Sequence, residues 1–290
     1  MNSATGSDDP RDYLVDQGFE TYTADDHATW RTLARRQREI LKGRIADQFL
    51  DGLDRLGIGE AGIPDFREMN KTLKAATGWE VVAVPGLIPD LAFFRLLADR
   101  KFPAGFWIRK PEQIDYIEEP DIFHDVFGHV PLIMQPIYAD YLEAYGKAGL
   151  VAAEHGTLKR LARLYWYTVE FGLAQTPEGL RIVGAGIASS PGETIFSLES
   201  PSPNRVGFEL GRVMRTLYRI DDYQETYFVL DGVEAWPALD LDRLIPLWKE
   251  LDSQADLEPG DIRPEDRVLS RGDGTYHRER AAAAFRQAAE

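Results

Sequence analysis

Of the five histidines in this 290-residue chain, only His124 and His129 lie close together, five positions apart. They sit in Glu119-Pro120-Asp121-Ile122-Phe123-His124-Asp125-Val126-Phe127-Gly128-His129-Val130-Pro131. A third polar group, Glu170, lies inside the aromatic run Tyr165-Trp166-Tyr167-Thr168-Val169-Glu170-Phe171-Gly172-Leu173. A carboxylate in an apolar helix needs a partner, or desolvation raises its pKa and leaves it neutral. A divalent cation is one such partner, and Arg163 is another. The chain has no cysteine. Disulfides, thiolate metal sites and thiol nucleophiles are therefore excluded, and a metal must be held by His, Asp, Glu or main-chain oxygen. Two imidazoles and one carboxylate leave three positions open on an octahedral ion, the donor set of non-haem Fe(II) oxygenases. The same types serve zinc hydrolases, for which Asp125 or Glu119 could be the general base. The usual His-Glu-x-x-His zinc helix is absent. A purely structural pairing of these residues is the third reading.

Five residues on an α-helix advance by about 140° beyond a full turn, so the two rings would not share a face. Gly128 is expected to take a positive φ and end the helix, and Pro131 to discourage its continuation, so that His129 folds back beside His124.

The surrounding pattern predicts a mainly α fold in which one domain of many helices carries a few short β-strands. Thr23 is expected to cap a helical pattern that runs from Trp30 to Leu56 and stops at Gly57, and Asp65 to cap a second helix stopped by Gly78. Strands are expected at 80–84, 106–109, 180–183 and 226–230, and helices at 90–100, 120–127, 136–154, 157–171, 192–199, 205–218 and 241–251. Residues 1–12 read as disordered, 13–251 as the catalytic domain, and 252–290 as a polar tail ending in a possible Ala-rich helix. No apolar run is long enough to span a bilayer, and the N-terminus lacks a signal-peptide pattern, so a cytoplasmic location is expected. The net charge of −15 argues against nucleic acid and anionic membranes as partners.

The segments around the two histidines and Glu170 resemble the iron-binding signatures of the pterin-dependent aromatic amino acid hydroxylases. So do Gly184-Ala185-Gly186-Ile187-Ala188-Ser189-Ser190, and Val84-Pro85-Gly86-Leu87-Ile88 with Phe93 and Trp107-Ile108-Arg109 beyond it. The resemblance runs over roughly residues 28–232. It implies a monooxygenase that uses Fe(II), O2 and a tetrahydropterin to hydroxylate the ring of a free aromatic amino acid. The implied reaction is L-phenylalanine to L-tyrosine, with tryptophan as the alternative substrate. It further implies that His124, His129 and Glu170 bind iron and that Asp121 orients His124 from behind. Gly86, Leu87, Ile88, Phe93 and Asp125 would meet the pterin. Arg109 and Ser189 would meet the amino acid carboxylate, with Trp166 and Phe171 around its ring. Trp166 resembles the phenylalanine-hydroxylating branch, and the apolar Ile220 stands where tyrosine-hydroxylating members are acidic. Ile117 and Glu118 occupy a stretch where animal members place a threonine. Neither a regulatory domain nor a tetramerising helix is evident, so a monomer is expected.

Overall fold

The computed structural model describes residues 6–115, 117 and 119–288. The part of the N-terminal expectation that falls on residues 1–5, and Glu118, lie outside the described residues.

The first helix, Ala24–Leu41, begins at a capping box in which Thr23 and Asp26 satisfy each other's backbone N–H groups. The pattern expected to run unbroken to Leu56 is split: Gly43 takes φ 70° and a second helix, Asp47–Arg55, follows. Asp65 caps the helix Phe66–Thr77, which Gly78 ends in the left-handed region. The β-branched run Glu80–Val84 is strand β1. It pairs in parallel with β2, Lys101–Gly105, across the helix Asp90–Ala98. The strand expected at 106–109 therefore lies five residues earlier. Residues 106–110 are irregular because their polar groups serve side chains instead: Tyr22 donates to the Phe106 carbonyl, and the Arg109 N–H donates to Asp121.

Helices Pro136–Glu154 and Leu158–Tyr165 pack behind the site, and a five-stranded sheet closes the other side. Its strands are β3 (Leu173–Thr176), β4 (Gly179–Ile182), β5 (Asn204–Gly207), β6 (Thr226–Leu230) and β7 (Val268–Ser270), in the order β4-β3-β6-β5-β7. The single helix expected over 205–218 is instead β5 followed by the short helix Leu210–Arg215. Buried Arg205 explains the extended start: its guanidinium reaches the carbonyls of Ser197 and Ser200.

Both ends correct the expectation of loose segments. Asp9 caps a 3-10 turn, Pro10–Tyr13, within the stretch read as disordered. The polar tail carries β7, which pairs antiparallel with β5, and the helix Thr275–Ala288. Arg212 and Asp266 form a buried ion pair at 2.9 Å that ties this segment to the body. Charged composition concealed it because one of its charges, Asp266, is buried in a pair rather than solvated.

Candidate active site

The two histidines converge by a route that helical periodicity does not predict. Phe123–His129 is π-helical and continues directly into Val130–Ile133. In i→i+5 bonding, residues five apart lie about one turn apart, so His124 and His129 share a face. Gly128 does not take the positive φ expected of it. Its role is close approach, since a Cβ there would lie 2.9 Å from the Ala185 carbonyl oxygen. Glu170 arrives on a second π-helical segment, Trp166–Glu170, where the Phe171 N–H donates to the Trp166 carbonyl five residues back at 2.8 Å. The helix Ala185–Ser189 wedges between the two segments. A Cβ on Gly184 would come within 2.3 Å of the Glu170 carbonyl oxygen, so this contact requires glycine.

One ligand atom each from His124, His129 and Glu170 lies within 4.8 Å of the others. The Nε2 atoms of the two histidines are 3.2 Å apart. His129 Nε2 is 3.3 Å from Glu170 Oε1, and His124 Nε2 is 3.7 Å from Glu170 Oε2. Bonds of about 2.1 Å to one ion give ligand–ligand edges of about 3.0 Å in octahedral and 3.4 Å in tetrahedral geometry. The triangle therefore fits one face of a mononuclear site.

The first imidazole is oriented by a hydroxyl. Ser189 Oγ donates to the Ala185 carbonyl at 2.9 Å, which uses its only hydrogen. At 2.9 Å it then accepts from His124 Nδ1–H, leaving the Nε2 lone pair aimed at the site. Asp121, expected to orient this ring, accepts instead from the His124 backbone N–H at 3.1 Å. Its main partner is Arg109, whose Nε and Nη2 meet it at 2.8 and 2.9 Å. Both are buried, with Asp121 fully inaccessible, so this is a buried ion pair and not an exposed one. Arg109 keeps its Nη1 without a hydrogen bond among the described residues. His129 is held by packing, with Phe102 at 5.1 Å and Tyr165 stacked at 6.3 Å. Arg163 is not the partner of Glu170, because it is bound to Asp256 at 2.7 and 2.8 Å.

Burial pushes the His124 imidazole down to about 4, so it is neutral at physiological pH. Burial opposes charge on His129 and Glu170 too. Their mutual attraction outweighs it, raising the first and lowering the second. This attraction favours a charged His129 beside an ionised Glu170, and a divalent cation bound between them would supply the positive charge instead. Burial pushes Asp125 up to about 7, although its Oδ2 accepts the Gly105 N–H at 2.7 Å.

Gly105 closes β2 opposite Val84 of β1, so the Gly86–Ile88 loop leaves the carboxyl end of the parallel pair beside Asp125. Gly86 and Ile88 are half-exposed, and Leu87 is 76% exposed. Phe93, half-buried, meets Tyr165 edge-on at 6.0 Å, and Tyr165 in turn flanks His129. Trp166 packs against Phe171 at 4.7 Å. Ile220 is 78% exposed, not the core residue its apolar character suggests. Sequence reasoning missed Tyr165, Phe102, Gln224 and Glu193, which position the recognised residues. Aromatic density around Glu170 was the available signal for Tyr165, while Gln224 and Glu193 carried none.

Two neutral-capable imidazoles and a carboxylate on one face define a mononuclear metal centre of the non-haem iron type. Residues 18–238 match the family model described as biopterin-dependent aromatic amino acid hydroxylase, and the chain belongs to that family. It is 56% identical to a phenylalanine-4-hydroxylase of Caulobacter vibrioides, over 91% of this chain and 90% of that protein. Phenylalanine hydroxylase of Chromobacterium violaceum has been solved with iron and phenylalanine bound. That structure superposes with a TM-score of 0.84 at 53% identity, covering 90% of this chain and 95% of that one. A second structure of the same enzyme, with iron(III) and 7,8-dihydrobiopterin, gives a TM-score of 0.85 at 55% identity, covering 91% and 95%. Among the described residues no helix is long and apolar enough to cross a membrane.

Proposed function

We propose that this chain is a phenylalanine 4-monooxygenase that converts L-phenylalanine to L-tyrosine with Fe(II), O2 and a tetrahydropterin. The observation that carries the reading is the convergence of His124, His129 and Glu170 on one point, in a chain more than half identical to phenylalanine-4-hydroxylases. These three residues are the proposed iron ligands. Iron, when bound, supplies the redox chemistry that lets triplet O2 react with a closed-shell ring, with electrons from the pterin.

The protein's own part is binding, orientation and exclusion of water. Asp121 holds Arg109 rigid through one edge of the guanidinium. The Nη1 side is left to grip the substrate carboxylate. Ser189 keeps the His124 lone pair turned inward, beside the place proposed for that carboxylate. Trp166 and Phe171 form the wall for the substrate ring. Phe93 offers a face for pterin stacking, while the Gly86–Ile88 backbone and Asp125 offer hydrogen bonds to its edge. A carboxyl group poised near neutrality can donate or accept there. We further propose a cytoplasmic monomer; the net charge of −15 favours self-repulsion over association.

The test is incubation of the purified protein with Fe(II), tetrahydrobiopterin and O2 and, in separate reactions, phenylalanine, tryptophan or tyrosine, with E170A as control. Tyrosine formed from phenylalanine, dependent on iron, pterin and Glu170, is the expected result. Preferential hydroxylation of tryptophan would reassign the substrate. No product from folded, iron-loaded protein would overturn the activity.

A further inference from the structure

The indole of Trp166 is held from two sides. Its ring stacks on Tyr218 at 4.4 Å, and its Nε1–H donates to Gln224 Oε1 at 2.8 Å. Gln224 is only 2% exposed. Its amide cannot turn over, because Nε2 donates to the carbonyls of Arg219 and Asp222 at 3.2 and 3.3 Å. Its backbone N–H donates to Glu193 at 3.3 Å, and buried Glu193 also accepts the Tyr227 hydroxyl. The Arg219–Tyr223 loop is tied down from outside as well. Tyr276 donates to Asp222 at 2.8 Å, and His277 Nε2 meets the Tyr223 carbonyl at 2.8 Å. A buried amide with every polar atom committed, and its one remaining acceptor spent on an indole, is a fixed reference point for that indole.

We infer that Gln224 is a specificity-setting positioning residue: its side-chain oxygen fixes the rotation of the Trp166 indole, and with it the width of the wall against the substrate ring. The inference rests on the proposed placement of Trp166 at the substrate. Among the described residues Gln224 makes no hydrogen bond to the proposed iron ligands, so its effect falls on substrate fit and leaves iron loading alone. Removing the acceptor leaves a half-buried N–H without a partner, and the indole turns to find another.

The experiment is a double-mutant cycle between Q224M, which conserves volume and removes the acceptor, and W166F, which removes the donor. Steady-state kinetics are read with phenylalanine and with tryptophan, alongside iron stoichiometry. Q224M is expected to raise KM for phenylalanine about fivefold and to shift the phenylalanine-to-tryptophan ratio of kcat/KM by a similar factor. Phenylalanine kcat stays within about twofold and iron loading is unchanged. In the W166F background, Q224M adds less than about twofold. Equal Q224M effects in both backgrounds would overturn the inference, since the residue would then act by knitting its loop. W166F altering KM while Q224M is silent would overturn the inference alone. W166F with wild-type KM and selectivity would overturn the placement of Trp166, and the inference with it. If Q224M does not accumulate folded, Q224N withdraws the acceptor by one methylene and carries the same expectations.

Discussion

Glu170 and Glu193 are the same residue type, both set among buried aromatic side chains, yet their acidities move in opposite directions. Around Glu170, burial opposes ionisation but His129 and His124 overcome it and hold the carboxyl below its ordinary range. Around Glu193, burial wins and pushes the carboxyl up to about 7, with only the Tyr227 hydroxyl and the Gln224 N–H to ease it. The first region maintains a negative charge where water is scarce, which a cation can answer. The second uses a carboxyl group as a hydrogen-bonding post that is most comfortable neutral. Burial alone does not mark a functional acid; the partners that face it do.

The comparison breaks most sharply at Glu170. Alanine there should abolish stable iron loading and reduce turnover by more than the roughly 10–100-fold expected for the loss of an outer partner. Metal analysis after dialysis, read beside product formation, checks this. Iron retained at full stoichiometry would remove Glu170 from the donor set. Next in size is Asp121, whose charge is held by a permanent partner. D121A strands Arg109 without its counter-charge and should cost about 3–5 kcal/mol in urea unfolding. A cost below about 1 kcal/mol would show that water reaches the guanidinium.

Glu193 supplies a pH signature of a sign opposite to that of ordinary paired carboxylates. Its folded pKa lies above its ordinary value, so the folded state binds more protons between about pH 4.5 and 7. The resulting stability is complete below the lower value and lost as pH rises through the upper one, by up to about 3 kcal/mol. E193Q should flatten that fall, which equilibrium unfolding at pH 5 and pH 8 would show. A difference that persists unchanged in E193Q places its origin elsewhere. The smallest effect is at Ser189. S189A frees the His124 ring and should weaken iron binding about tenfold with little change in global stability. A competitive chelator titration measures it, and unchanged affinity would mean that packing alone orients the imidazole.

The legible parts of the sequence were those where one local signal dominates. The β-branched run at Glu80–Val84, the Thr23 and Asp65 caps and the stop at Gly78 coincide with the observed elements. The donor types of the metal centre were equally plain in a cysteine-free chain. The manner of their convergence was not, because π-helical bonding has no sequence period of its own and goes with the helix wedged against Gly128 and, through its cap Gly184, against the Glu170 backbone. The 205–218 stretch failed for a related reason: helix-compatible residues were pulled into β5 by its pairing with β6 and β7 and by the hydrogen bonds of Arg205 to the Ser197 and Ser200 carbonyls. The C-terminal segment failed because polar composition resembles a solvated tail even when one of its charges, Asp266, finds a buried partner.

The placement of β7 also bears on how the chain is made. The proposed iron ligands, and β1 and β2 beside them, lie within the first 170 residues and leave the ribosome early. The sheet's outer edge and the Arg212–Asp266 lock exist only once residues 266–270 have emerged. Until then β5 presents an unpaired edge, and Arg212 stands without its counter-charge. The growing chain is thus most exposed to wrong strand pairing during synthesis of the stretch between β6 and β7. A chain that ended before β7 would leave that edge of β5 open.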